Sequence, residues 1–448
     1  MPSKKYAIKT AVGVAAEKTS AKISAPAKTL TPVKVAVPAA VPPQRKRFTG
    51  RLLVRLNPGV NLTTLERKMK TRSLNFINSR DLSTGKTEGG LIKALEKVDG
   101  ILFEKLRIAL VNPDSAAGVK RMLSLRNSPF LSSEPERYLY QQQAGARRSS
   151  AYRNTASTTW GIQATNVSKS KFTGKDVKIA VLDTGFDFTH PDFTGRVIHR
   201  KSFVGRQAKD REGHGTHCAG IAAGSRKGKA GVRYGVAPGS RLYVGKILDD
   251  AGEGSDGLAL AGIEWALEKG CQVINMSFGA PVQRGEGYSA IFEEVAQTAM
   301  ANHCLLIAAT GNESDRAEGL IAPINHPANC PSIMAVGALT ESLKIANYSC
   351  GRTAAVKSKP GSRRGNPPSG EVNIAAPGDN ILSAWIGGEH ETESGTSMAT
   401  PFVAGIAALL WEQYPDASAR EIWDKLIGRA QPIGLAASEA GAGLVCAG

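Results

Sequence analysis

Val177-Lys178-Ile179-Ala180-Val181-Leu182-Asp183-Thr184-Gly185 is the stretch that decides the architecture. Its first six residues are almost continuously apolar, which suits a strand covered on both faces rather than one with a wet side. The run ends in an acid and then a glycine turn, so a carboxylate stands at the carboxyl end of a buried strand. In open α/β sheets that end is where sites assemble. Similar runs recur at Leu242–Leu248, Val273–Phe278, Cys304–Thr310 and Ile333–Leu339, and an amphipathic helix opens at Asp256 and runs through Glu268. Buried strands alternating with helices predict an α/β fold with a doubly wound, mostly parallel sheet.

Two further segments carry chemistry. Gly213-His214-Gly215-Thr216-His217-Cys218-Ala219-Gly220 places a histidine at the start of a helix of small residues, and Gly395-Thr396-Ser397-Met398-Ala399-Thr400-Pro401 places a serine at the start of an apolar one. A serine hydroxyl is a weak nucleophile until a base takes its proton and an acid orients that base. Asp183, His214 and Ser397 supply that set as catalytic residues, and Asn312, after the apolar run Ala308-Ala309-Thr310-Gly311, supplies a side-chain donor for an oxyanion. Taken singly the motifs admit other readings. Asp-Thr-Gly also serves paired-carboxylate proteases, but no second copy is present. His214, His217 and Cys218 have zinc-ligand chemistry, but no fourth ligand cluster accompanies them. Ser397 alone is compatible with a plain helix cap. Asp187 and Asp210 read as turn or hydrogen-bonding residues, and His190, His199, His303, His326 and His390 as surface or loop residues.

Five blocks in order, VLDTGFDFTHPDF, GHGTHCAG, INMSFG, AATGN and GTSMATPFVAG, make residues 160–434 resemble the catalytic domain of the subtilisin-like serine proteases, with HGTHCAG closer to the proteinase K side. The resemblance implies a serine endopeptidase that binds polypeptide substrates in extended form. Gly252, Glu253 and Gly254 would form one strand edge for the substrate, and Ser277, Phe278 and Gly279 the other. Ala309, Thr310 and Gly311 would wall the primary pocket, with Asn325 near its floor. Residues 47–140 read as strand, helix, strand, helix, strand, a small α+β domain whose last strand is Phe130–Tyr140. By position and element order it resembles the propeptide of such proteases. It is therefore expected to be an intramolecular inhibitor whose tail enters the active site. The polar linker 141–159, with Arg147-Arg148, is the expected processing region. No cofactor is expected. Where many family members carry a calcium loop this chain has Ser225-Arg226-Lys227-Gly228-Lys229, whose cations supply no oxygen ligands. No metal is expected there, Asp192 is left without a metal role, and a structural calcium elsewhere stays open.

The formal charge of +18 is concentrated at the N-terminal end. Residues 1–50 hold ten Lys and Arg against one acid, residues 51–150 hold 18 against 9, and the remainder balances at 29 of each. Residues 1–46, rich in Ala, Pro, Lys and Val, read as a disordered basic arm able to meet nucleic acid or acidic lipid. The short apolar run Ala11–Ala16 falls below the h-region of a secretory signal, about 7–15 residues. The chain reads as soluble, either cytoplasmic or exported by another route. Six cysteines do not make a disulfide scaffold, though Cys330 and Cys350 flank a strand-like segment and could pair. Arg352–Glu371 reads as a basic surface loop and 435–448 as an uninformative Ala/Gly-rich tail.

Overall fold

A computed structural model of the chain describes residues 45–83, 90–144, 152–226, 228, 231–352 and 370–448. Residues 1–44 of the arm, Arg147-Arg148, most of the 352–371 loop, Lys227 and Lys229 lie outside the described residues. At the centre are seven parallel strands in the order Ile374–Pro377, Met334–Leu339, Leu305–Ala309, Val273–Met276, Lys178–Asp183, Arg241–Lys246, Ile198–Ser202. Side chains alternate along each strand. Ile179 and Val181 enter the core that holds the helices His214–Ala223 and Thr396–Gln413. Ala180 and Leu182 enter the opposite core, against the helices Asp256–Glu268 and Ala290–Ala301. Both faces are buried except at the edge strand Ile198–Ser202, which is why the inner strands show no polar alternation.

A second sheet carries the N-terminal elements. Strand Phe48–Leu56 pairs antiparallel with Ile108–Val111 on one side and Phe130–Gln141 on the other. Leu52 and Val54 face the helices Leu62–Lys70 and Pro113–Leu123. Leu53, Ile101, Phe103 and Leu110 face Leu258 and Trp265 of the parallel-sheet region. A sheet docked on that side must be apolar on both faces, and the run Ile101-Leu102-Phe103 is fully buried. Residues 46–448 accordingly form one compact unit.

Several sequence expectations need correction. The middle strand of the five-element order expected for residues 47–140 is a hairpin of Gly100–Phe103 and Ile108–Val111, with Arg107 in its turn at φ +58°. The second long helix of this region begins at Pro113 after Asn112, because proline is pre-set for a first helical position. A further short helix, Gly90–Leu95, absent from the expected order, buries Leu91 and Leu95. The terminal segment is not an idle tail: Leu444, Val445, Cys446 and Ala447 are buried, and Val445 donates from its backbone to Ala375 at 2.9 Å. Cys330 and Cys350 are both free and buried. Among the described residues no helix is long and apolar enough to cross a membrane.

Candidate active site

Asp183 ends its strand fully buried, and its Oδ1 lies 2.7 Å from His214 Nδ1. The same oxygen accepts from the Thr184 amide at 2.7 Å, which fixes the carboxylate plane. Thr184 Oγ accepts from the Gly215 amide at 2.8 Å, tying strand end to helix start. Asp210 holds that helix start as well, accepting from the Gly213 amide at 2.9 Å and from the Thr216 amide and hydroxyl at 2.9 and 2.7 Å. Gly213 caps the helix at φ +118°, and a Cβ there would meet the Trp385 ring at 2.3 Å, so the turn requires glycine. With Nδ1 hydrogen-bonded to a carboxylate, the imidazole presents Nε2 as its free face, and that atom has no partner among the described residues. Burial pulls the His214 pKa down and the Asp183 charge raises it, and the net is well above an ordinary imidazole. His217, fully buried, is pushed down to about 3 by burial and by His214. It stays neutral and reaches the Ile381 and Glu391 carbonyls at 3.0 and 3.1 Å.

Ser397 is the second residue of its helix. Cys218 Sγ lies 3.9 Å from His214 Nδ1 and 3.5 Å from the Ser397 carbonyl, so the histidine and serine helices meet at this point. The Ser397 hydroxyl donates to the Ser277 carbonyl at 2.7 Å rather than to the imidazole. It also accepts from the Gln142 amide at 3.1 Å. Asn312 Oδ1 accepts from the Thr396 amide and hydroxyl at 3.0 and 2.9 Å, which leaves Nδ2 as a buried donor without a partner among the described residues. Such a donor is costly, on the order of 1–3 kcal/mol, unless a later state uses it.

The two expected substrate edges are filled by the chain itself. Phe278 and Gly279 pair antiparallel with Gln141 and Tyr140, while Glu253–Ser255 pairs with Tyr138–Tyr140. Gly252 accepts from the Gln141 amide at 3.1 Å, and Ser277 from the Gln142 amide at 3.3 Å. The Thr310 carbonyl accepts from the Asn325 amide at 2.9 Å, and a Cβ on Gly311 would lie 2.5 Å from Asn325 Nδ2. Ala309, Thr310 and Gly311 therefore back onto Asn325.

Sequence reading missed the residues that dock the N-terminal sheet. Glu134 accepts from Ser289 Oγ and from the Ala290 and Ile291 amides at 2.6, 2.9 and 3.3 Å, capping the helix Ala290–Ala301. Glu136 accepts from the Gly257 amide at 2.9 Å, capping Asp256–Glu268. Carboxylates at helix N-termini are favoured by the orphan amides and the macrodipole. The acids alternating along Glu134-Pro135-Glu136 are the signal that could have found them. His190 and His326 are buried, not surface residues. His326 bonds Asp256 at 2.9 Å, and His190 accepts from the Asp192 amide at 3.2 Å. His190, Asp192 and His390 hold potential ligand atoms within 4.8 Å of one another. The Asp192 carboxylate is already met by Tyr234 and His390, each at 2.7 Å, so its donors come from the protein and suit a hydrogen-bonded network better than a calcium cage.

A parallel sheet covered by helices, with an acid, an imidazole and a serine on neighbouring elements and a cleft that pairs with an extended strand, is the layout of a serine hydrolase acting on peptides. The family model described as the subtilase family matches residues 174–443. Subtilisin of Bacillus pumilus is 35% identical over 276 residues, covering 61% of this chain and 90% of that protein. Subtilisin E of Bacillus subtilis (strain 168) is 35% identical over 276 residues, covering 61% of this chain and 65% of that protein. An intracellular serine protease of Paenibacillus polymyxa is 34% identical over 284 residues, covering 61% of this chain and 79% of that protein. The chain belongs to the subtilase family, and its activity class is serine endopeptidase.

Proposed function

We propose that Ser397 is the nucleophile, His214 the general base, Asp183 its orienting acid and Asn312 the oxyanion donor of this endopeptidase, and that residues 47–140 are its intramolecular inhibitor. The observation that carries the reading is the Gln142 carbonyl, which accepts from the Ser397 amide at 3.3 Å while Asn312 Nδ2 stands unpartnered beside it. In this scheme the Ser397 hydroxyl turns from the Ser277 carbonyl to His214 Nε2 and loses its proton there as Oγ attacks the substrate carbonyl. Negative charge develops on an oxygen facing the Ser397 and Asn312 N–H groups. His214 then gives the proton to the leaving amine, and water releases the acyl group by the reverse exchange.

Inhibition follows from occupancy. Tyr138–Gln142 fills both edges, and Glu134 and Glu136 anchor the sheet on two helix ends. Purified wild type and Ser397→Ala are to be compared by size and on an unfolded protein substrate. Wild type is expected to shorten and digest; Ser397→Ala is expected to stay full-length. If wild type stays intact and digests nothing, the reading fails. The basic arm supports a separate contact with nucleic acid or acidic lipid. It predicts salt-sensitive binding by the full chain, abolished when residues 1–46 are removed.

A further inference from the structure

Gln141-Gln142-Gln143 looks like the start of an unpatterned linker, but each of its three residues is held in the cleft. The backbone sets the register. The amides of Gln141, Gln142 and Ala144 donate to the carbonyls of Gly252, Ser277 and Ser394 at 3.1, 3.3 and 2.6 Å. In that register the Gln142 carbonyl is the one on the Ser397 amide. A methyl on Gly395 would stand 2.3 Å from that oxygen and 3.2 Å from Asn312 Nδ2, so the unpartnered amide lies on the same side of the cleft as the carbonyl that the Ser397 amide holds. The bond between Gln142 and Gln143 is thus the one under the nucleophile.

The side chains are matched as well. The Gln141 amide donates to Glu212 at 2.9 Å and the Gln143 amide to Glu393 at 2.5 Å. Gln142 is only 2% exposed. Its Nε2 donates to the Gly279 carbonyl at 3.4 Å and to Tyr140 at 3.1 Å, and its Oε1 accepts from Asn325 Nδ2 at 3.5 Å. Asn325 Nδ2 also donates to Glu313 at 2.9 Å, which holds its N–H face toward the pocket. The pocket therefore offers one carbonyl acceptor and one amide donor, the complement of a carboxamide. A carboxylate placed there would face the Gly279 carbonyl and stand near Glu313, and an aliphatic group would leave the pair unanswered.

We propose that this chain cuts itself between Gln142 and Gln143, and that its primary pocket, read through Asn325 and Gly279, selects glutamine before the scissile bond. The proposal rests on the protease reading above. In the cut, an ester forms between Ser397 Oγ and the Gln142 carbonyl carbon, the bond to the Gln143 nitrogen breaks, and the hydroxyl proton passes through His214 to that nitrogen. Water then hydrolyses the ester and leaves Gln142 as a free carboxylate.

Mass spectrometry of the converted protein tests the cut. One fragment is expected to end at Gln142 and the other to begin at Gln143, open or cyclised to pyroglutamate. Peptides of the form Leu-Tyr-Gln-X, followed by Gln-Ala, test the pocket with X as Gln, Glu or Leu. Because the hydrogen bonds at X are long, kcat/KM is expected to favour Gln over Leu by about tenfold and over Glu by about 100-fold. Asn325→Ala is expected to shrink the Gln-to-Leu ratio toward one. Cleavage at another bond, or a Leu peptide preferred to Gln by an enzyme that digests unfolded protein, overturns the proposal and leaves the protease reading standing. A wild type that stays intact and inert overturns both.

Discussion

Glu134→Ala is the sharpest probe of how the N-terminal sheet silences the cleft. The Glu134 carboxylate touches the catalytic region through three hydrogen bonds, to Ser289 Oγ and to the Ala290 and Ile291 amides. All three belong to the first turn of one helix. Removing a carboxylate from a helix N-terminus costs about 0.3–1 kcal/mol, up to about 2 when the geometry is partly buried. The Glu134 side chain is 21% exposed, which favours the upper part of that range. The amides it leaves regain water only in part, since Ser289 and Ile291 are buried. A loss of about 2 kcal/mol predicts docking weakened by about 30-fold. The assay follows chain cleavage on a gel and peptide hydrolysis in parallel. The interval between the two reports release of the cut N-terminal fragment. Glu134→Ala is expected to shorten that interval by about the same factor, and Glu134→Gln, which keeps the acceptor but drops the charge, by about threefold. High salt is expected to shorten the wild-type interval and to change that of Glu134→Ala less. If release from Glu134→Ala matches wild type, helix capping does not hold the inhibitor, and the docking argument is wrong.

Other consequences follow from the same geometry. Asn312→Ala is expected to lower kcat by about 10²–10³ with little change in KM, a magnitude taken from the equivalent donor of subtilisin; equal loss in KM would assign the amide to ground-state binding. Asp183→Asn, which presents the wrong tautomer, is expected to lower kcat by about 10⁴, measured on a peptide ester or amide. His214 must be neutral to take the serine proton, and its pKa is held well above the ordinary 6.5, so self-cleavage is expected to be slow at acid pH and to rise through a midpoint above that value. A midpoint at or below 6.5 in the initial rate of conversion would contradict the burial and pairing of Asp183 with His214. Thiol titration of the denatured, unreduced chain is expected to find six free cysteines, since all six are free in the fold.

The parallel sheet was legible because buried strands carry no polar alternation, and Val177–Leu182 shows that directly. The partners Asp183 and His214 were legible because strand-end and helix-start positions are marked by glycine and small residues nearby. Where meaning depends on tertiary contact the sequence is silent. Gln142 has the composition of a linker residue and acquires its place only when its backbone pairs with Ser277 and Ser397. Leu444 to Ala447 sit in an Ala/Gly-rich stretch too short to show a period, yet Leu444 pairs with Ala375 and all four side chains are buried. The hairpin at Arg107 hid inside an apolar run because its turn uses a charged residue at positive φ in place of glycine or asparagine. His326 looked like a loop residue because its partner, Asp256, is 70 positions away.

The most direct test of the account is covalent trapping with a fluorophosphonate, followed by peptide mapping of the converted enzyme. Stoichiometric label on Ser397, lost in His214→Ala while the fold persists, is the expected result. Label on another residue, or none on a folded and processed chain, would contradict the assignment of the nucleophile and its base.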